Sequence, residues 1–245
     1  MKIALISAPF QNGRTDENAA DMIRYIREAA ACGAELAVFG ESALQGFDAL
    51  TWDYEKDLQI ACDIKSACVC RLCDAAQENG IAISFGMIEK DGDSLYSTQL
   101  TVDQQGQVLH RFRRVSPGWK TESASAFYRE GEAFTPFDLN GKRFSCALCG
   151  DLWYDENVQS VDALKADFVL WPVYCDYSAD EWNEKAKYEY AEQAGKVTSK
   201  VLWVNPYCAD GCEAELARGG AAVFEHGRIL QEMPSGAPGM LICEI

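Results

Sequence analysis

Short apolar runs alternate with segments of helical period along nearly the whole chain, and this alternation restricts the fold more than any other feature of the sequence. Residues 2–8 open as an apolar strand. Met22, Ile23, Ile26, Ala29 and Ala30 then recur at helical spacing in a segment opened by Thr15 and Asp16 and closed by Gly33. A buried strand over 34–39 ends at Gly40 and Glu41. From 55 to 79, Leu58, Ala61, Ile64, Cys68, Leu72 and Ala75 again keep a 3.6-residue period, which predicts one continuous helix. Residues 81–88, 95–102 and 107–115 read as strands separated by Gly-Asp and Gln-Gly turns.

The second half repeats the rhythm, with strands at 144–149 and 168–174, helices at 157–165 and 179–199, and further strands at 200–205, 220–224 and 228–232. Strand–helix alternation mixed with hairpins predicts an α/β sandwich. No linker, composition shift or fixed repeat divides residues 1–245, so a single domain is expected. At 245 residues the chain can build a core without help from disulfides or metals.

Charge and cysteine usage narrow the partners. With 22 basic against 38 acidic residues the formal net charge is −16, which disfavours nucleic acid and anionic membrane surfaces. The opening apolar stretch is too short for a signal peptide, and no run approaches the ~18 residues of a membrane span. Eleven cysteines, four of them within 62–73, fit free thiols in a reducing cytoplasm. Cys68 and Cys70 would lie far apart around a helix, so Cys62, Cys68, Cys70 and Cys73 make a poor metal site and read as packing residues. Cys208 and Cys212, which flank a turn at Gly211, are expected as thiols.

Only two histidines are present, His110 in a strand and His226 in a Glu-His-Gly-Arg turn, so a histidine-dependent triad or zinc site is improbable. A cysteine nucleophile would have to borrow a carboxylate base and a fixed cation. Three such groups stand at the ends of buried strands, where α/β proteins place their ligands. Glu41 follows Ala37-Val38-Phe39-Gly40, Arg113 and Arg114 end a strand, and Cys149 follows Phe144-Ser145-Cys146-Ala147-Leu148 and precedes Gly150-Asp151. A glutamate directly after an apolar run is costly to desolvate unless paired. The bland alternative makes Glu41 a loop cap and Cys149 a small core residue.

The segment Val38-Phe39-Gly40-Glu41-Ser42-Ala43-Leu44-Gln45-Gly46-Phe47 resembles the glutamate motif of the nitrilase superfamily of carbon–nitrogen hydrolases. Arg111-Phe112-Arg113-Arg114 resembles its lysine motif, and Ala147-Leu148-Cys149-Gly150-Asp151-Leu152-Trp153 its cysteine motif. The resemblance runs from Lys2 nearly to the C-terminus. It implies a four-layer α-β-β-α sandwich, commonly dimeric, that hydrolyses small amide, carbamoyl or nitrile substrates without metal or organic cofactor. It further implies Cys149 as the nucleophile that forms a thioester, Glu41 as the general base, and Glu122 as a second glutamate that orients the site. Arg114 stands where the family carries lysine, with Lys120 the nearest lysine, and either could supply the cation. Gly40, Ser97 and Ala221 also depart from the family pattern. Because arginine is not a conservative exchange for lysine, a non-catalytic relative that binds a ligand or partner is the rival class. Trp153, Trp171, Tyr174, Tyr177 and Trp182 read as core or dimer-interface residues, and Arg113, Lys120 and Arg129 leave room for a carboxylate-bearing substrate.

Overall fold

The computed structural model describes residues 1–211 and 216–245, so Cys212 lies outside the described residues. The principal strands form two six-stranded sheets. In the first, Lys2–Ser7, Leu36–Phe39 and Ala82–Asp91 run parallel. Antiparallel Ser94–Val102 and Val108–Arg113 extend one edge, and Gly239–Glu244 closes the other. In the second, Lys142–Cys146, Phe168–Pro172 and Lys200–Val204 run parallel. Phe137–Leu139 flanks them on one side, Ala221–Glu225 and Arg228–Met233 on the other.

Side chains alternate across each strand, and that alternation builds the layers. Ile3, Leu5, Leu36 and Val38 pack with Phe144, Cys146, Leu170, Leu202 and Val204 between the sheets. Ala4, Ile6, Ala37 and Phe39 turn the other way, onto Met22 and Ile26 of the helix Thr15–Ala31 and Val69 and Leu72 of the helix Ala67–Asn79. On the opposite side Val169, Trp171, Val201 and Trp203 meet Val158 and Val161 of Asp155–Ala163 and Tyr190 and Ala194 of Lys187–Ala194. The order helix, sheet, sheet, helix is the expected α-β-β-α sandwich. Among the described residues no helix is long and apolar enough to cross a membrane.

The continuous helix expected over 55–79 is two helices, Tyr54–Asp57 and Ala67–Asn79. The fully buried Asp57 accepts hydrogen bonds from the N–H groups of Thr51 and Trp52, the Thr51 hydroxyl and the Tyr128 hydroxyl, which folds the chain around it. Farther on, the Cys62 N–H donates to Ile88 and the Cys62 carbonyl accepts from Lys90, so this stretch pairs with a strand. A side-chain period cannot register such backbone partners. The helix expected over 179–199 divides at a π-turn, Trp182–Ala186, where Trp182 stacks on Trp203 with ring centroids 3.9 Å apart. Two edge strands, Phe137–Leu139 and Gly239–Glu244, fall outside the strands expected from the sequence.

His110 is packed. Its Nε2 lies 2.9 Å from the Thr135 hydroxyl, its ring stacks on Phe137, and burial pushes its pKa from 6.5 down to about 4. The unfolded chain therefore binds more protons between those values, and stability falls as pH drops from about 6.5 toward about 4. The loss is expected to reach roughly 3 kcal/mol. Urea unfolding across that range should show it, and His110→Gln should flatten the slope. Equal slopes in both proteins would assign the acid sensitivity elsewhere.

Candidate active site

The three strand ends singled out in the sequence meet at one edge of the sandwich. Glu41 follows Leu36–Phe39, Arg114 follows Val108–Arg113, and Cys149 follows Lys142–Cys146. Glu41 is 1% exposed, and its N–H donates to the carbonyl of Val173 at 3.1 Å, fastening a loop of the first sheet to the second. The Ser97 hydroxyl donates to Oε1 of Glu41 at 2.8 Å, and Nη1 of Arg114 lies 3.3 Å from the same oxygen. Oε2 of Glu41 is buried with no hydrogen-bond partner among the described residues. An ionised carboxylate buried this deeply is tolerable because the guanidinium faces it.

Arg114 is itself buried, and Nε donates to the Ser116 hydroxyl at 3.0 Å. Burial works against its charge, but Glu41, Cys149 and Asp151 together hold its pKa above the ordinary value. The guanidinium is thus a fixed cation acting on both Glu41 and the cysteine turn. An added Cβ at Gly150 would stand 2.5 Å from Nη2 of Arg114, so the glycine after the cysteine leaves the space that the guanidinium fills.

Cys149 opens the short helix Cys149–Trp153 with φ 43°, and Ser42, next to Glu41, has φ 51°. Both are non-glycine residues in the left-handed region, a conformation that costs about 1–3 kcal/mol and persists only where surrounding contacts enforce it. At Cys149 those contacts are identifiable. Its carbonyl accepts from the Trp171 indole at 2.8 Å, and its Sγ lies 3.6 Å from the Tyr174 carbonyl. The carboxylate of Asp151 accepts from the N–H groups of Leu148 at 2.8 Å, Val115 at 3.1 Å and Ser116 at 2.6 Å. Asp151 therefore ties the cysteine turn to the loop carrying Arg114. Burial pushes its carboxyl above the usual range against the opposing pull of those N–H groups. The adjoining Cys175 thiol is pushed well up by the nearby Cys149 sulfur and by burial. Asn205 grips the Cys175 backbone through its N–H and its carbonyl, at 2.9 Å each.

Among the described residues Lys120 and Glu122 make no hydrogen bond or ion pair with Glu41, Arg114 or Cys149. Trp119 and Tyr128, which flank the loop that carries them, pack with Leu50, Ile88 and Leu95. Nζ of Lys120 is held by the Tyr128 carbonyl at 2.7 Å and by Glu130 at 2.8 Å, while Glu122 is exposed. Lys120→Ala is accordingly expected to cost about 1 kcal/mol of stability. It should leave turnover and the Cys149 alkylation rate within about threefold, whereas Arg114→Ala lowers both. Loss of both in Lys120→Ala would move the cation to Lys120. Arg113 is also committed elsewhere, to Glu89 through Nε at 2.9 Å, to Asp91, and to the face of Tyr96.

Ser97, Ser116, Asp151 and Trp171 were not singled out as partners of this site. Asp151, two residues after the cysteine, and Ser116, two residues after Arg114, lie near the candidates in sequence; Ser97 and Trp171 arrive from distant strands. Gly40 gains a physical reason, because a Cβ there would meet Cδ of Pro206 at 2.4 Å. The Cys62, Cys68, Cys70 and Cys73 segment gives no metal site, and among the described residues no group of three or more ligating side chains is placed to hold one.

The carbon-nitrogen hydrolase family model matches residues 2–245. An aliphatic nitrilase of Rhodococcus rhodochrous is 27% identical over 204 residues, covering 77% of this chain and 52% of that protein. A nitrilase of Pyrococcus abyssi is 28% identical over 180 residues, covering 70% of this chain and 64% of that protein. The matched stretches thus span about half to two thirds of those relatives' length. A structure of the nitrilase-superfamily amidase of Nesterenkonia AN1 superposes over 100% of this chain and 90% of that one, with TM-score 0.81 at 20% identity. Another structure of the amidase from Nesterenkonia sp. AN1, TM-score 0.79 at 20% identity over 100% of this chain and 90% of that one, shows covalent addition of the acetamide moiety of fluoroacetamide at the active-site cysteine. With the match running through the Glu41, Arg114 and Cys149 segments, the chain belongs to the carbon-nitrogen hydrolase family of the nitrilase superfamily.

Proposed function

We propose that this protein hydrolyses non-peptide carbon–nitrogen bonds of small amides, with carbamoyl compounds and nitriles as the neighbouring substrate classes. The observation that carries the proposal is the buried Glu41, held through Oε1 by Arg114 and Ser97 while Oε2 keeps its lone pairs free. The amidase neighbour, whose cysteine takes up the acetamide moiety of fluoroacetamide, supports the same chemistry. In this mechanism the Cys149 sulfur bonds to the substrate carbonyl carbon as Glu41 takes the thiol proton. Glu41 then passes that proton to the departing amine, the C–N bond breaks, and a thioester remains. Water, deprotonated by Glu41, attacks the thioester; the C–S bond breaks, the acid leaves and the thiol recovers its proton. Arg114 and the Gly150 N–H face the developing oxyanion, a contribution of about 3–4 kcal/mol per donor where such groups have been removed. The planar guanidinium is wider than an ammonium, which favours small acyl groups.

An ammonia-release screen over amides, carbamoyl compounds and nitriles tests the proposal, with Cys149→Ala as the inactive control. Turnover of a small amide that disappears in the control supports it. No turnover across the panel by folded protein would reassign the site to ligand or partner binding.

We further propose a homodimer working in a reducing cytoplasm, which suits the free cysteines of the described residues. Trp153, Tyr154 and Tyr188 are 44%, 37% and 59% exposed, apolar area that a second copy can cover. Light scattering at micromolar concentration is expected to give about twice the chain mass of 27.1 kDa. A mass equal to one chain would remove the dimer.

A further inference from the structure

Division of the 55–79 segment into two helices leaves two cysteines facing each other. Cys62 sits in the connection after Tyr54–Asp57, and Cys68 lies in the first turn of Ala67–Asn79. Their sulfurs are 3.1 Å apart, closer than two non-bonded sulfurs ordinarily pack. A disulfide needs about 2.05 Å, so about one further ångström of approach closes the bond. The surroundings hold the pair in register. The Cys62 backbone is bonded on both sides to the strand Ala82–Asp91, and the Ser66 hydroxyl lies 3.2 Å from the Cys68 sulfur. Cys70 and Cys73 do not share this arrangement, since the Cys70 sulfur approaches the Lys65 carbonyl at 3.6 Å.

We propose that Cys62 and Cys68 form a reversible redox site, closing to a disulfide by exchange with a small-molecule disulfide. Cys68 attacks first, because it sits in the first turn of the helix Ala67–Asn79 with Cys62 and the Ser66 hydroxyl beside its sulfur, contacts that hold its pKa down. The Cys68 thiolate displaces one half of the oxidant as a thiolate and leaves a mixed disulfide. Cys62 loses its proton, attacks the Cys68 sulfur and expels the second half. Two protein thiols are oxidised by two electrons, the oxidant is reduced to two small thiols, and the two protons released by the protein end on them. The connection 58–66 is thereby stapled to the helix that covers the first sheet. Gln45, four residues after Glu41, donates to the carbonyls of Ile60 and Ile88 beside this connection, so the staple lies next to the Glu41 loop.

The test needs no catalytic assay and stands apart from the proposed hydrolysis. The full chain is equilibrated near neutral pH in glutathione buffers of graded ratio and quenched in acid. Remaining thiols are alkylated and each cysteine is mapped by peptide mass spectrometry. Cys62 and Cys68 should lose alkylation together, as one cross-linked peptide pair lighter by two hydrogens, with a dependence on the square of reduced glutathione. The exposed Cys32 and Cys70 should instead form mixed disulfides that follow its first power. Held beside Cys68, Cys62 competes at an effective concentration on the order of millimolar or above, so the cross-link should exceed the Cys68 glutathione adduct about tenfold. In Cys62→Ser the cross-link should vanish and that adduct accumulate. Recovery of Cys62 and Cys68 as free thiols where Cys32 and Cys70 are modified would overturn the proposal, as would pairing of Cys68 with Cys70 or Cys73.

Discussion

Glu41→Gln is expected to lower turnover of an amide substrate by about 10²–10⁴-fold, the range found for a general base lost from a positioned site. The substitution keeps the shape of the side chain and an oxygen able to accept from Ser97. It removes the lone pairs at Oε2 that would take the cysteine and water protons, because one terminal atom becomes an amide. It also leaves Arg114 facing a neutral partner in a buried position, so some stability is lost, an effect of a few kcal/mol when one member of a buried pair is removed. Both quantities are measurable on one preparation, by ammonia release and by urea unfolding. A fall in stability with turnover within tenfold of wild type would make Glu41 a structural partner of Arg114 and nothing more.

The second large effect concerns Gly150 and Arg114 as a pair. Gly150→Ala places a methyl group 2.5 Å from Nη2 of Arg114. The guanidinium has little freedom to yield, being fixed to Ser116 through Nε and to Glu41 through Nη1. A displacement of about 1 Å at such a group is expected to reduce kcat/KM about 10²-fold. Lysine at 114 ends in a single ammonium without the second arm of the fork, so Gly150→Ala in an Arg114→Lys background should cost no more than about threefold. The double-mutant cycle thus carries a coupling of about 2 kcal/mol. Additive losses would mean that the glycine and the arginine are independent.

The sequence alone determined the layers and pointed to three candidate residues that the fold brings near one another. Period-2 and period-3.6 patterns are local, and a strand that alternates buried faces or a helix with one apolar stripe declares its packing before its partners are known. Glu41 and Cys149 were legible as candidates for the same reason, since each ends an apolar run where desolvation demands a partner, and Arg114 as a cation at the end of another strand. Tertiary structure alone decided which partner each one has. Ser97 reaches Glu41 from another strand, Asp151 joins two loops through three N–H groups, and Gly150 matters only because a guanidinium from residue 114 lies against it. Lys120 bonds the Tyr128 carbonyl and Glu130 in a loop whose Trp119 and Tyr128 pack with Leu50, Ile88 and Leu95, residues far away in the chain. The Cys62–Cys68 contact arose where Asp57 and the backbone of Ile88 and Lys90 overrode a helical period. Burial patterns repeat along a chain and can be read there; hydrogen bonds between distant backbone and side-chain groups depend on the folded path and have no period to read.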